Sequence, residues 1–220
     1  AAVCIYPEMV HHAVKATEGS NVKVASVAGA FPSGLSTIEA RTADISDAVK
    51  RGADEIDIVL NRSAFLAGDE QRAFEEIVAS KEACGKAHLK VILEVGELGS
   101  YDKIRQASML AMTAGADFIK TSTGKISQAS SLPRVLCMAE AVRDFAQQTN
   151  ISVGIKAAGG IRTAKQAWHY LVVIGETLGT EWLCPEMFRI GASSLLNDVL
   201  LQLKRLDSGS YSGPDYVTVD

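Results

Sequence analysis

Three ionisable residues of this 220-residue chain stand inside apolar runs: Asp57 in EIDIVLN (55–61), Lys120 in DFIKTST (117–123) and Lys156 in SVGIKAA (152–158). Successive side chains of a strand point to opposite faces. In the first run Ile56, Ile58 and Leu60 share one face, and Asp57 falls on the other with Glu55, Val59 and Asn61. In the second, Ile119 opposes Phe118, Lys120 and Ser122; in the third, Val153 and Ile155 oppose Gly154 and Lys156. A buried lysine is costly unless paired. The plain alternatives are structural ion pairs and strand-end lysines that snorkel to water. Those suit Lys23 and Lys90, near the starts of their strands, where charges in a barrel serve stability. Lys120 and Lys156 lie toward the C-terminal strand ends, the face that carries catalysis in barrels.

A lysine amine is a nucleophile only when neutral, and its ordinary pKa is about 10.4. A second ammonium nearby, together with desolvation, lowers that value and frees the lone pair. Attack on a carbonyl then gives an iminium, which withdraws electrons from the neighbouring carbon and permits C–C cleavage or formation. An inward Asp57 is placed to move protons among the carbinolamine, the iminium and a substrate hydroxyl.

Three later segments have the composition of an anion cradle. They are Ser122-Thr123-Gly124-Lys125, Ala158-Gly159-Gly160-Ile161-Arg162-Thr163 and Gly191-Ala192-Ser193-Ser194-Leu195-Leu196. Each follows a strand, and the last opens a helix. Glycines let backbone N–H groups approach an anion, and a helix N-terminus adds its dipole. For Ser193, a helix N-cap is as good a reading as a phosphate contact.

The elements that would hold these residues alternate along the chain. Strands are predicted at 2–6, 22–28, 55–61, 89–95, 117–123, 152–158 and 188–192, with helices over 38–51, 69–84, 101–114, 132–148 and 164–179. Gly52-Ala53-Asp54 and Gly115-Ala116-Asp117 each end a helix and launch a strand, glycine at the helix C′ position taking φ > 0 cheaply. Strands rich in Val and Ile without a polar face suit a parallel sheet covered by helices. Seven β-then-α units can be counted where a closed (β/α)8 barrel needs eight. Either one unit of about 30 residues is missing from the N-terminus or the sheet is open. Residues 1–206 read as one barrel domain, and the Gly/Ser/Asp-rich 207–220 as a flexible C-terminal tail.

Apolar residues make up 47% and charged residues 22%, enough for a core and not the composition of a disordered chain. The net charge of −4 argues against nucleic acid and anionic membrane as partners. AAVCIYPEMV has no basic n-region, and no apolar run approaches a bilayer's width. Cys4, Cys84, Cys137 and Cys184 form no C-x-x-C pair and read as reduced, mostly buried thiols of a cytoplasmic protein. His11, His12, His88 and His169 lack metal-like spacing and read as surface or helix-packing residues. Trp168 and Trp182 read as core or interface. Glu94 is left open as a site carboxylate or a partner for a barrel lysine.

The segments AVCIYP (2–7), GADEIDIVLN (52–61), GADFIKTSTGK (115–125), KAAGGIRT (156–163) and FRIGASSLL (188–196) closely resemble the deoxyribose-phosphate aldolase family. The resemblance runs in order from Ala1 to about Leu206. It implies a TIM barrel whose first β/α unit, carried by the family ahead of AVCIYP, is missing here. It implies a class I lyase, without metal or other cofactor. The reaction would be reversible cleavage of 2-deoxy-D-ribose 5-phosphate to acetaldehyde and D-glyceraldehyde 3-phosphate, in deoxynucleoside breakdown. The Schiff-base lysine falls on Lys120, the second lysine on Lys156 and the proton-relay aspartate on Asp57. Phosphate contacts fall on Gly124, Lys125, Gly159, Gly160, Ser193 and Ser194, with Cys4 and Thr123 near the site. The family's K-P-A-G-G reads Lys156-Ala157-Ala158-Gly159-Gly160, which removes no chemical group. Some members carry a C-terminal tyrosine in the site; here Tyr211 and Tyr216 stand near the end of the chain. A homo-oligomer, dimer or tetramer, is left open. The alternatives are another Schiff-base barrel aldolase for a phosphorylated aldehyde or ketone, or a silent sugar-phosphate-binding barrel.

Overall fold

A computed structural model describes residues 1–127 and 129–210. Seven strands form one parallel sheet in chain order: β1 Ala2–Ile5, β2 Lys23–Val27, β3 Glu55–Val59, β4 His88–Ile92, β5 Phe118–Lys120, β6 Gly154–Ala158 and β7 Phe188–Gly191. The helices are α1 Val10–Thr17, α2 Ile38–Lys50, α3 Arg62–Leu66, α4 Glu70–Cys84, α5 Tyr101–Thr113, α6 Leu132–Thr149, α7 Ala164–Leu178 and α8 Ser194–Ser208. The seven strands match the unit count, and β1 and β7 are the sheet's two edges. Helix α8 runs past the expected domain boundary at 206 to Ser208, and Tyr211 and Tyr216 lie outside the described residues.

The repeated G-A-D boundary is one device used twice. Gly52 and Gly115 take φ 107° and 93° just past α2 and α5. The aspartate that follows reaches back to the strand alongside: Asp54 accepts the Val24 N–H at 2.9 Å, and Asp117 the Leu89 N–H at 2.7 Å. A turn and a strand pairing are thus fixed by the same three residues. On the sheet's helix side, Ile56, Ile58, Leu89, Val91, Ile119 and Ile155 are buried in a core that continues into Ile45, Ile77, Val135, Met138 and Ile174 of the helices.

The opposite face curls into an interior. Arg189 on β7 reaches Glu55 on β3 at 3.0 Å, and Lys156 on β6 reaches Asp57 on β3 at 2.8 Å. These pairs span strands that are not neighbours, so the sheet bends around its own inward side chains. Gly154 is the concession that makes this fit. A Cβ there would sit 2.3 Å from the Phe118 ring.

Candidate active site

The interior charges form two layers. Toward the N-terminal ends of the strands, Glu55 pairs with Lys90 at 2.7 Å and with Arg189 at 3.0 Å. Above it, Asp57 Oδ2 accepts from Lys120 Nζ at 2.7 Å and from Lys156 Nζ at 2.8 Å. Lys90 joins the layers by donating to Asp57 Oδ1 at 2.9 Å. Register explains the convergence: Asp57 pairs with Lys90 across β3–β4, and Lys120 with Lys156 across β5–β6. Of the two alternatives offered for Lys90, the structure shows the ion pair and not the snorkelling lysine: its side chain is completely buried between Glu55 and Asp57. Lys23, at the start of β2, is exposed as expected.

Four cationic side chains thus meet two carboxylates, an imbalance that a neutral lysine relieves. Burial lowers the Lys120 pKa, and the neighbouring Lys156 charge adds to that; Asp57 opposes both but does not outweigh them. Burial also works against the Lys156 ammonium, but Asp57, with smaller help from Cys4 and Glu55, holds its pKa above the usual value. Burial alone would raise the Asp57 pKa; the lysines 120, 156 and 90 override it and keep the carboxyl well below its ordinary value. The resulting set is a lysine tilted toward the free amine, a firmly charged ammonium and a carboxylate touching both. Cys4 Sγ lies 3.9 Å from Asp57 Oδ2; although the residue is exposed overall, local desolvation together with that charge pushes its thiol upward.

Lys120 and Lys156 open on a cavity of about 460 Å³ that is also lined by Cys4, Thr123, Gly124, Lys125, Gly159, Gly160, Ser193 and Ser194. The cavity therefore gathers every expected site residue except Asp57, which is buried behind the lysines. Gly124, Gly159 and Gly160 take φ 78°, 87° and 82°, a region disfavoured for other residues. Gly159 has a second constraint, since a Cβ would lie 2.5 Å from that of Ala129. Ser193 is the N-cap of α8 but makes no side-chain capping hydrogen bond. Next door, Thr163 and Gln166 form a capping box that fixes the start of α7 just after the glycine pair.

Some contributors were not singled out as site residues, although Gly191, Ile161 and Arg162 fall within the cradle segments and Glu94 was left open. Lys90 obeyed the same alternation as Asp57 and Lys120, so extending that rule to β4 would have turned it inward. Gly191 leaves room for the Lys156 stem, because a Cβ there would stand 3.1 Å from its Cε. Ile161 and Arg162 also line the cavity. Among the described residues Glu94 pairs with no barrel lysine: it accepts hydrogen bonds from Thr123 and lies 3.8 Å from Arg62. Trp182 is partly buried against the core, but Trp168 is 64% exposed and is not a core residue. The four histidines are exposed, and of the four free cysteines only Cys84 is buried, fewer than composition suggested.

Comparison with known proteins leads to the same chemistry. The family described as DeoC/LacD family aldolase matches residues 1–200. Human deoxyribose-phosphate aldolase is 49% identical over 214 residues, covering 96% of this chain and 67% of its own. The apo crystal structure of a putative deoxyribose-phosphate aldolase from Toxoplasma gondii superposes with a TM-score of 0.82 at 26% identity, over 94% of this chain and 83% of that one. The tetrameric deoxyribose phosphate aldolase from Aeropyrum pernix gives 0.70 at 26% identity, over 92% and 77%. A parallel α/β sheet curled around paired lysines, with a family match over nearly its whole length, places this chain in the DeoC/LacD family of aldolases.

Proposed function

We propose that the chain is a class I aldolase that reversibly cleaves 2-deoxy-D-ribose 5-phosphate to D-glyceraldehyde 3-phosphate and acetaldehyde, with Lys120 as its Schiff-base residue. The observation that carries this reading is the sharing of Asp57 Oδ2 by two lysine ammonium groups at the head of a glycine- and serine-lined cavity. The Lys120 lone pair adds to C1 of the open-chain sugar, and the carbinolamine loses water to give an iminium. The C3 hydroxyl then yields its proton, the C2–C3 bond breaks, and its electrons pass to the iminium nitrogen. Glyceraldehyde 3-phosphate departs, leaving an enamine. Protonation at C2 and hydrolysis release acetaldehyde and restore the amine. Asp57 and Lys156 are the groups within reach to carry these protons. The N–H groups at Gly124, Gly159 and Gly160, the Ser193 and Ser194 hydroxyls and Lys125 would hold the phosphate at the N-terminus of α8.

Free thiols and a net charge of −4 support a cytoplasmic enzyme whose substrate is a small sugar phosphate, not a nucleic acid or a lipid surface. Among the described residues, no helix is long and apolar enough to cross a membrane. Exposed Leu196, Leu200 and Leu203 on α8 support self-association as a dimer or tetramer, which sedimentation velocity measures.

Borohydride reduction in the presence of acetaldehyde tests the assignment. Peptide mass mapping should place the reduced adduct on Lys120. An adduct on Lys156, or none in the folded chain, would sink it.

A further inference from the structure

Beyond the end of β4, Glu94 takes φ 54°, a left-handed conformation uncommon for a residue with a side chain, and is only 1% exposed. All of the hydrogen bonds that its carboxylate accepts among the described residues come from Thr123. Thr123 donates its hydroxyl to Glu94 Oε2 at 2.5 Å and its backbone N–H to Oε1 and Oε2 at 3.2 and 3.3 Å. Arg62 backs the carboxylate at 3.8 Å and is itself tied to Glu97 at 2.6 Å. Thr123 lies in the turn that connects Lys120 to the phosphate side, and it lines the cavity with Gly124 and Lys125.

A hydroxyl has one proton to give and two lone pairs with which to accept. In Thr123 the proton goes to Glu94, and one lone pair accepts the Lys125 N–H at 3.1 Å. What the Thr123 oxygen can offer a ligand is therefore a lone pair, which suits a substrate hydroxyl and repels a phosphate oxygen. We propose that Glu94 is a positioning residue for substrate recognition. It sets the polarity of the Thr123 hydroxyl and holds the 123–125 turn against the phosphate end of the sugar. This rests on the reading of the cavity as a sugar-phosphate aldolase site.

Glu94→Gln is the discriminating change, because it keeps the shape and can invert the hydrogen bond. An amide nitrogen facing the Thr123 oxygen would donate to it and turn the hydroxyl proton toward the cavity. Retro-aldol kinetics on deoxyribose 5-phosphate and on phosphate-free deoxyribose, with acetaldehyde trapping and a thermal melt, read the outcome. KM for the phosphorylated sugar should rise roughly threefold to tenfold, the scale of one neutral hydrogen bond. KM for free deoxyribose should rise by a similar factor, because it keeps the hydroxyls from which Thr123 accepts, whereas the trapping rate should stay within about twofold, because acetaldehyde has no hydroxyl. Thr123→Val should raise KM for the phosphorylated sugar similarly, and the double variant should be no worse than either single one. An unchanged KM or an additive double variant would overturn the positioning role while leaving acetaldehyde trapping intact. A folded, unaltered chain that gives no trapped adduct would overturn the aldolase reading and this proposal with it.

Discussion

At the residue scale, three ammonium groups crowd one carboxylate at the centre of the sheet, and their inequality is what makes chemistry available. Lys90 lies beneath, completely buried between Glu55 and Asp57, while Lys120 and Lys156 face the cavity. Burial lowers the Lys120 pKa first and the Lys156 charge adds to it, so removing that charge should let the value climb. In Lys156→Leu, the acidic limb of the kcat/KM profile should therefore move to higher pH. kcat itself should fall by roughly 10² to 10⁴, the usual scale for loss of a proton-transfer group. An acidic limb that stays where it was would show that Lys156 does not tune Lys120. Lys120, Lys156 and Asp57 were legible in the sequence because strand parity turned them inward and strand position put the lysines at the catalytic end. Lys90 was not, since its place near the start of a strand argued for stability, and only its register opposite Asp57 shows that it belongs to the same network. Glu94 was legible only as far as two open alternatives, a site carboxylate or a lysine partner. Its direction depends on one left-handed backbone angle just past a strand, and no periodicity encodes that.

At the scale of elements, the strands act as rulers and the glycines decide what fits between them. Gly154 faces Phe118 at equal height across β5–β6, and a Cβ there would fall 2.3 to 2.5 Å from three ring atoms. A ring edge cannot fold away like a flexible chain end, so Gly154→Ala must push β5 and β6 apart or rotate the ring. Overpacking of this kind costs about 1–3 kcal/mol. Urea unfolding should show a lower midpoint for Gly154→Ala and partial recovery when Phe118→Leu is added. A midpoint equal to that of the unaltered chain would mean that the ring is not held where it lies. Because Lys120 and Lys156 are themselves register partners on these two strands, the same change should weaken acetaldehyde trapping. Strand and helix positions were readable within one to three residues, because buried parallel strands and amphipathic helices differ in period and the G-A-D boundaries mark where one gives way to the other. The two helices without forecast bounds at the front of the chain were α1 and the short α3. One follows directly from β1 through a Pro7–Met9 turn, and the other spans only Arg62–Leu66, too short to show a helical period.

For the molecule as a whole, a charged column runs through an interior whose other inward side chains, Val59, Ile92 and Phe118 among them, are the apolar kind that usually fill a barrel. Glu55 and Asp57 hold four cations in the dry centre of the sheet, so stability is tied to their ionisation. Burial works against both carboxylates, yet the cations around them keep each pKa below its ordinary value in the folded chain. The unfolded chain has no such cluster, and its aspartates titrate near 3.9. A folded value below the unfolded one means that the unfolded state takes up protons first as pH falls. The contribution of the two carboxylates is therefore present above the unfolded pKa and drains away as pH drops through that value toward the depressed folded ones. Protonation also strips the buried cations of their counter-charge, which is far more costly than losing a surface pair. Between pH 6 and pH 3, the urea midpoint should fall steeply, and much of that slope should be traceable to these residues. Asp57→Asn should be less stable at pH 6, because the lysines lose their partner, but flatter toward acid, because one of the titrating groups is gone. If Asp57→Asn loses stability toward acid as steeply as the unaltered chain, the column does not govern acid unfolding.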